Sequence, residues 1–171
     1  MNAEATTQEI ENPIEKLTKD LRKAVGTMGR HEARFLVDTY YQMQRNRIRA
    51  SGQVRAMKSE PHEVLSWLEA NSDSLEGQVG LALAAYARAN HMGQWAMQVK
   101  GVGPVIAAGL LAYIDIEKAP TVGHIWSFAG LNPNAKWEKG QKRPWNGDLK
   151  VLLWKAGIPR DDNRFDISRC P

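Results

Sequence analysis

The run Val99-Lys100-Gly101-Val102-Gly103-Pro104 sets two glycines around one apolar residue, with a lysine before them and a proline after. Paired glycines permit a tighter reversal than side chains tolerate, and proline suits a first helical turn. The run therefore reads as a sharp turn between two short helices. Met92, Trp95, Ala96 and Val99 would form the apolar face of the first, and Val105, Ala108, Leu111 and Ala112 that of the second. Val102 is expected to turn inward and plug the angle, and Gly103 to be the residue the turn cannot replace. Backbone amides from Gly101 through Val105 would then point outward. Amides at a helix start favour an anion by direct donation and by the helix dipole, so phosphate is the implied ligand class, with Lys100 adding charge. The competing reading is an ordinary helix corner whose glycines serve packing. A dinucleotide loop is set aside, because its glycines follow a strand and a helix is expected here.

A second signal lies downstream, where Lys136, Lys139, Lys142, Arg143, Lys150 and Lys155 interleave with Trp137, Trp145 and Trp154. Cations that follow a phosphate backbone and rings that stack on bases suit nucleic acid, stacking contributing about 1–3 kcal/mol per base. Trp154, beside Leu153, reads as core. Trp137 and Trp145 read either as base contacts or as structural residues. Arg45 and Arg49 share a helix face, with Arg47 pointing elsewhere, and form a third candidate contact. His31, His62, His91 and His124 are scattered without metal-ligand spacing. Asp115 with Glu117, and Asp161 with Asp162, could hold Mg²⁺ for phosphodiester hydrolysis, but such pairs more often cap or solubilise helix ends. No catalytic residue, metal or cofactor is assigned.

These groups must be carried by a chain of 171 residues with 43% hydrophobic and 25% charged content, enough for a real core. No apolar run is long enough to span a membrane and the acidic N-terminus does not resemble a secretory signal. The single cysteine, Cys170, excludes an internal disulfide, so a reducing cytoplasm is expected. The net charge of +4 is unevenly spread: residues 16–58 carry eleven bases against three acids, residues 59–80 five acids and no base, and residues 136–160 seven bases against two acids. Two basic blocks separated by an acidic one suit a polyanion touched in two places, or else are solvated helix faces.

Helical periodicity dominates. Asn12-Pro13-Ile14-Glu15 predicts a helix start, running to Val25 with Gly26 as its stop. A long basic helix is predicted over 31–58, a short one over 61–71, and another over 73–89 opened by an Asp73/Glu76 capping box. Thr121 and Asn146 are predicted to cap two later helices. No segment alternates as a strand does. The fold class is all-α, divided as an acidic disordered stretch 1–12, a helical hairpin or arm 13–90, a compact domain 91–157 and an irregular tail 158–171.

The apolar-Gly-apolar-Gly turn resembles a helix-hairpin-helix. The order GVGPVIAAGLLAYI, HIWSFAGLNPN, KGQKRP, LKVLLWKAG over roughly residues 92–157 resembles the C-terminal domain of the IS110/IS116 insertion-sequence transposases, in particular short phage-borne transposase-like proteins. The resemblance implies nucleic-acid binding, DNA before RNA, within a recombinase guided by structured RNA. It also implies a catalytic serine in the polar loop after the Gly-Leu-x-Pro turn and acidic metal ligands on a preceding strand-rich domain. Here the loop from Asn134 to Asn146 holds no serine or threonine, Ser127 lies upstream, and no strand-rich region precedes residue 92. Strand exchange needs a covalent phosphodiester link that lysines cannot supply, so binding without recombination is the expectation. An active transposase or nuclease subunit, a homodimer, and an adaptor that occupies a host protein are the alternatives.

Overall fold

Local capping chemistry sets most of the element boundaries. The computed structural model describes residues 15–57 and 62–157, and among these every regular element is a helix: α1 (Lys19–Val25), α2 (Arg30–Ala56), α3 (Glu63–Ala89), α4 (His91–Ala96), α5 (Pro104–Tyr113), α6 (Val122–Phe128) and α7 (Gly147–Gly157). The all-α reading holds. Thr18 caps α1, its hydroxyl accepting from the Leu21 amide at 3.2 Å. Asn12 lies outside the described residues, as does the tail from 158. The helix expected to run from Asn12 to Val25 is shorter than its start signal implies, since residues 15–18 are not helical and Thr18 takes the capping role. Glu32 reaches back to the Gly29 amide at 2.7 Å to start α2. Thr121 and Asn146 cap α6 and α7 as their positions imply.

Two helices expected over 61–71 and 73–89 are one. The polar run Asn71-Ser72-Asp73 does not interrupt α3: the Asn71 side-chain amide donates to the Trp67 carbonyl at 2.8 Å within the helix, and Asp73 and Glu76 face Arg47 of α2. α2 and α3 pack antiparallel, Tyr40 lying against Gly80 and Arg47 opposite Glu76. Glu76 is buried and takes the Arg47 Nε at 2.5 Å and the Gln44 amide at 3.2 Å. Burial pushes its carboxyl up, but the bonds from Arg47 and Gln44 and the Arg47 charge outweigh that and hold it below the usual carboxylate range.

The core is built from small residues. Among the described residues, ten of the 17 buried apolar side chains are alanine, which brings helix axes close together. α5 contacts α2, α3, α4 and α7. Its Ala107, Ala108, Gly109, Ala112 and Tyr113 are all buried, so α5 is covered on more sides than the single face its periodicity suggests, and Leu111 is only half-buried. A Cβ on Gly109 would lie 2.6 Å from Leu152 of α7, and one on Gly93 of α4 would lie 2.2 Å from the Ala87 carbonyl oxygen of α3. That second approach turns α4 away from the expected orientation, and of its expected apolar face only Ala96 is buried. Gly93 and Ala96 face inward, while Met92, Trp95 and Val99 are exposed, because only small residues fit where the α3 backbone comes so near. The Tyr113 hydroxyl donates to Asp38 and fixes the end of α5 to α2.

Gly93→Ala has backbone rather than a flexible side chain in its way. Stability should fall by roughly 1–3 kcal/mol, read as a lower denaturant midpoint. An unchanged midpoint would mean that α4 does not depend on this approach.

Candidate nucleic-acid interface

α4 ends by tightening. Gln98 N bonds to Trp95 O at 3.0 Å and Val99 N to Ala96 O at 3.1 Å, three-residue spacings that use up helix-end carbonyls. A four-residue turn then closes from Val102 N to Val99 O at 3.0 Å, with Gly101 at φ 93° in its third position. A positive φ there suits glycine, because a Cβ would crowd the following carbonyl. The chain reverses, and α5 starts at Pro104, whose missing N–H would have had no helical acceptor. Val102 is half-buried and packs against the core, as expected.

Gly103 does not have the role its spacing suggests. Its φ of −84° and ψ of 173° suit any residue, and a Cβ would meet nothing within 4 Å. The turn needs its glycine at Gly101. Gly103 caps α5 without a side chain. The Val105 and Ile106 amides at the second and third helical positions therefore have neither an intrahelical acceptor nor a capping side chain. Lys100 is exposed, and Gly101, Val102, Gly103 and Val105 are half-buried, so the elbow stays at the surface.

The second basic segment is organised by its tryptophans. Gly130 closes α6 at φ 67°, and a Cβ there would fall 2.6 Å from Trp145, so the indole seats directly on the glycine. Trp137 meets Trp145 edge to face with ring centroids 6.3 Å apart, and its Nε1 donates to the Gln141 carbonyl at 2.8 Å. Arg143 lies 5.1 Å from the centroid of Trp137 and Lys150 lies 5.9 Å from that of Trp145, both within cation–π range. The two half-buried rings thus engage each other and position cations. Lys136, Lys139 and Lys142 extend from the same loop and are exposed. Asn146 ties the loop down, its amide donating to the Phe128 carbonyl at 2.7 Å while its side chain caps α7.

Arg45 and Arg49 are exposed on the second half of α2, and Arg47 turns away to Glu76. One association is invisible to spacing: Lys155 of α7 lies 3.7 Å from the Tyr41 ring centroid. Burial pushes the Lys155 amine below its usual range, and the charge of Arg45 acts in the same direction. Trp154, read as core, is instead exposed, because α7 buries Leu149 and Leu152. Asp115 pairs with Arg30 at 2.5 Å and with Lys118 at 3.7 Å; the Arg30 bond holds its carboxyl below the usual range. Among the described residues no group of three or more His, Cys, Asp or Glu is placed to hold a metal ion. Asp161, Asp162 and Cys170 lie outside them.

Residues 93–148, from the buried glycine of α4 to the first turn of α7, match the family model of the transposase IS116/IS110/IS902 family. The match covers about a third of the chain and includes both the elbow and the Lys/Trp loop, so this segment is similar to part of a transposase-family domain. No curated protein and no solved structure matches the chain.

The two glycines of the elbow should separate by mutation. Gly101→Ala is expected to cost roughly 1–2 kcal/mol from its positive φ. Gly103→Ser should be neutral or gain a few tenths of a kcal/mol, because its hydroxyl can cap the free amides. Chemical denaturation of both variants checks this, and equal losses would contradict it.

Proposed function

We propose that the chain binds nucleic acid by its phosphate backbone, DNA in preference to RNA, with little sequence specificity. The Val105 and Ile106 amides hold one phosphate, with Lys100 beside them. Lys136, Lys139, Lys142, Arg143 and Lys150 follow adjacent backbone, and Arg45 with Arg49 supplies a further contact. The single observation that carries this reading is the surface elbow whose helix start has no capping side chain. The transposase-family match supports the polymer class. No strand exchange is assigned, because the loop from Asn134 to Asn146 offers no hydroxyl nucleophile. The cytoplasm is the proposed location, and no helix of the described residues is long and apolar enough to cross a membrane. A second reading, docking to a host protein or to a second copy, is favoured by Met57, Val64, Trp67 and Leu68, all exposed at the hairpin end of α2 and α3. Recovery of a stoichiometric protein partner after nuclease treatment distinguishes that reading.

The test is fluorescence anisotropy with a labelled duplex, single-stranded DNA and RNA across a salt series. Affinity should fall linearly on a log–log plot as bound counterions are released. Lys139→Ala and Lys142→Ala should each reduce the slope by about one if the lysine neutralises a phosphate. Gly103→Asp should weaken binding of every sequence alike, because its carboxylate takes the amides a phosphate would use. A slope near zero, or an undiminished affinity in Gly103→Asp, would contradict the proposal.

A further inference from the structure

Beyond the elbow and the lysine loop, the structure has a cleft that neither uses. It lies where the chain folds back over α6, and its volume is about 490 Å³, a size typical of small-ligand sites. The fold-back is a helix-end motif: Leu131 N bonds to Trp126 O at 2.8 Å and Gly130 N to Ser127 O at 3.1 Å, with Gly130 in the left-handed region. Asn132 then accepts from the Asn134 amide at 3.0 Å and donates to Ser127 Oγ at 3.4 Å. These bonds hold the Asn132-Pro133-Asn134 turn above the helix and leave an open space between them.

One wall includes Trp126, which is 54% exposed; Trp67, Trp95 and Trp154 are exposed as well, and Trp126 differs from them in lining this cleft. Around it stand uncharged groups able to donate and accept: the Asn132 and Asn134 amides, the Ser127 and Thr121 hydroxyls, and the His124 imidazole. Thr121 Oγ1 meets His124 Nδ1 at 2.6 Å, which fixes the ring and leaves Nε2 for a ligand. None of the eight lining residues is acidic, so a polyanion meets no like charge there. A purely apolar patch would suit a protein surface. An exposed indole ringed by short amide and hydroxyl groups instead suits a planar heterocycle that stacks on one face and hydrogen-bonds along its edge.

We propose that this cleft takes one unstacked nucleobase, with the base lying on Trp126 and its edge meeting Asn132, Asn134 and His124. This rests on the nucleic-acid reading above and deepens it. The elbow and the lysine loop grip backbone without regard to strandedness, whereas the α6 cleft rewards a base free of its duplex partner. It gives the protein a preference for single-stranded or frayed positions, which phosphate contacts alone do not provide.

The experiment uses the full chain with a single strand containing 2-aminopurine, the same strand in a fully paired duplex, and free 2-aminopurine nucleoside monophosphate. The wild type should quench the single strand and bind it more tightly than the duplex. Trp126→Ala should weaken single-strand binding about tenfold, as loss of one stacked base implies, and leave duplex binding unchanged. Trp126→Phe should retain most of the preference, and Asn132→Ala should lose part of it. Thermal melting confirms that these surface variants remain folded. Quenching of the free monophosphate would make the site one for mononucleotides as well as strands; quenching of the strand alone would restrict it to the polymer. If the wild type binds nucleic acid but Trp126→Ala leaves both affinities unchanged, or lowers both equally, the cleft assignment is overturned while backbone binding stands. If the wild type binds no polymer, both are overturned.

Discussion

The packing depends on a helix whose buried residues, apart from Tyr113, are alanine or glycine. α5 passes among α2, α3, α4 and α7 with Ala107, Ala108, Gly109 and Ala112 turned into them, and larger residues there would drive the layers apart. Close packing fixes direction as well as distance. With its C-terminal end held by the Tyr113–Asp38 hydrogen bond and its middle against Leu152, α5 presents its N-terminal turn at the surface. The elbow's chemistry follows from that placement: the start of α5 lies among half-buried residues, while the middle and end of the helix are buried.

The same constraint connects the elbow to the lysine loop. Leu152 meets Gly109 from α7, and α7 begins at Asn146, whose amide is bonded to the end of α6. α5, α6, the Trp137–Trp145 pair and α7 therefore form a continuous frame carrying cations and helix-start amides on fixed supports. Fixed donors and charges need little reordering when a phosphate arrives, which is the entropic advantage of a preorganised site. The residues that set this frame lie between Gly93 and Leu152, nearly the same span as the transposase-family match.

Much of this was legible in the sequence where the signal is local. Thr121, Asn146, Pro104 and Gly26 mark helix ends through chemistry confined to one turn, and each stands where its type implies. Most of the failures share one cause, which is that tertiary proximity overrode a local pattern. Met92, Trp95 and Val99 have the spacing of an inward face, but Gly93 must meet the Ala87 carbonyl, so they turn outward. Asp73 and Glu76 resemble a capping box until Arg47 is found beside them on α2. Two glycines flanking Val102 are equivalent as letters, and only the backbone angles reveal that Gly101 makes the turn while Gly103 leaves the next helix uncapped. The cleft beside Trp126 depends on a chain reversal after Gly130 that brings Asn132 to Ser127; Gly-Leu-Asn-Pro-Asn signals a turn but not what the turn will face.

Phosphate binding at the first amides of α5 is open to direct observation. An amide-resolved ¹H–¹⁵N NMR titration with a short oligonucleotide measures this directly. Val105 and Ile106 should shift most among the backbone amides, move downfield as they donate to an anionic oxygen, and return as salt is added. Shifts confined to the hairpin end of α2 and α3, with residues 101–106 unmoved, would contradict it.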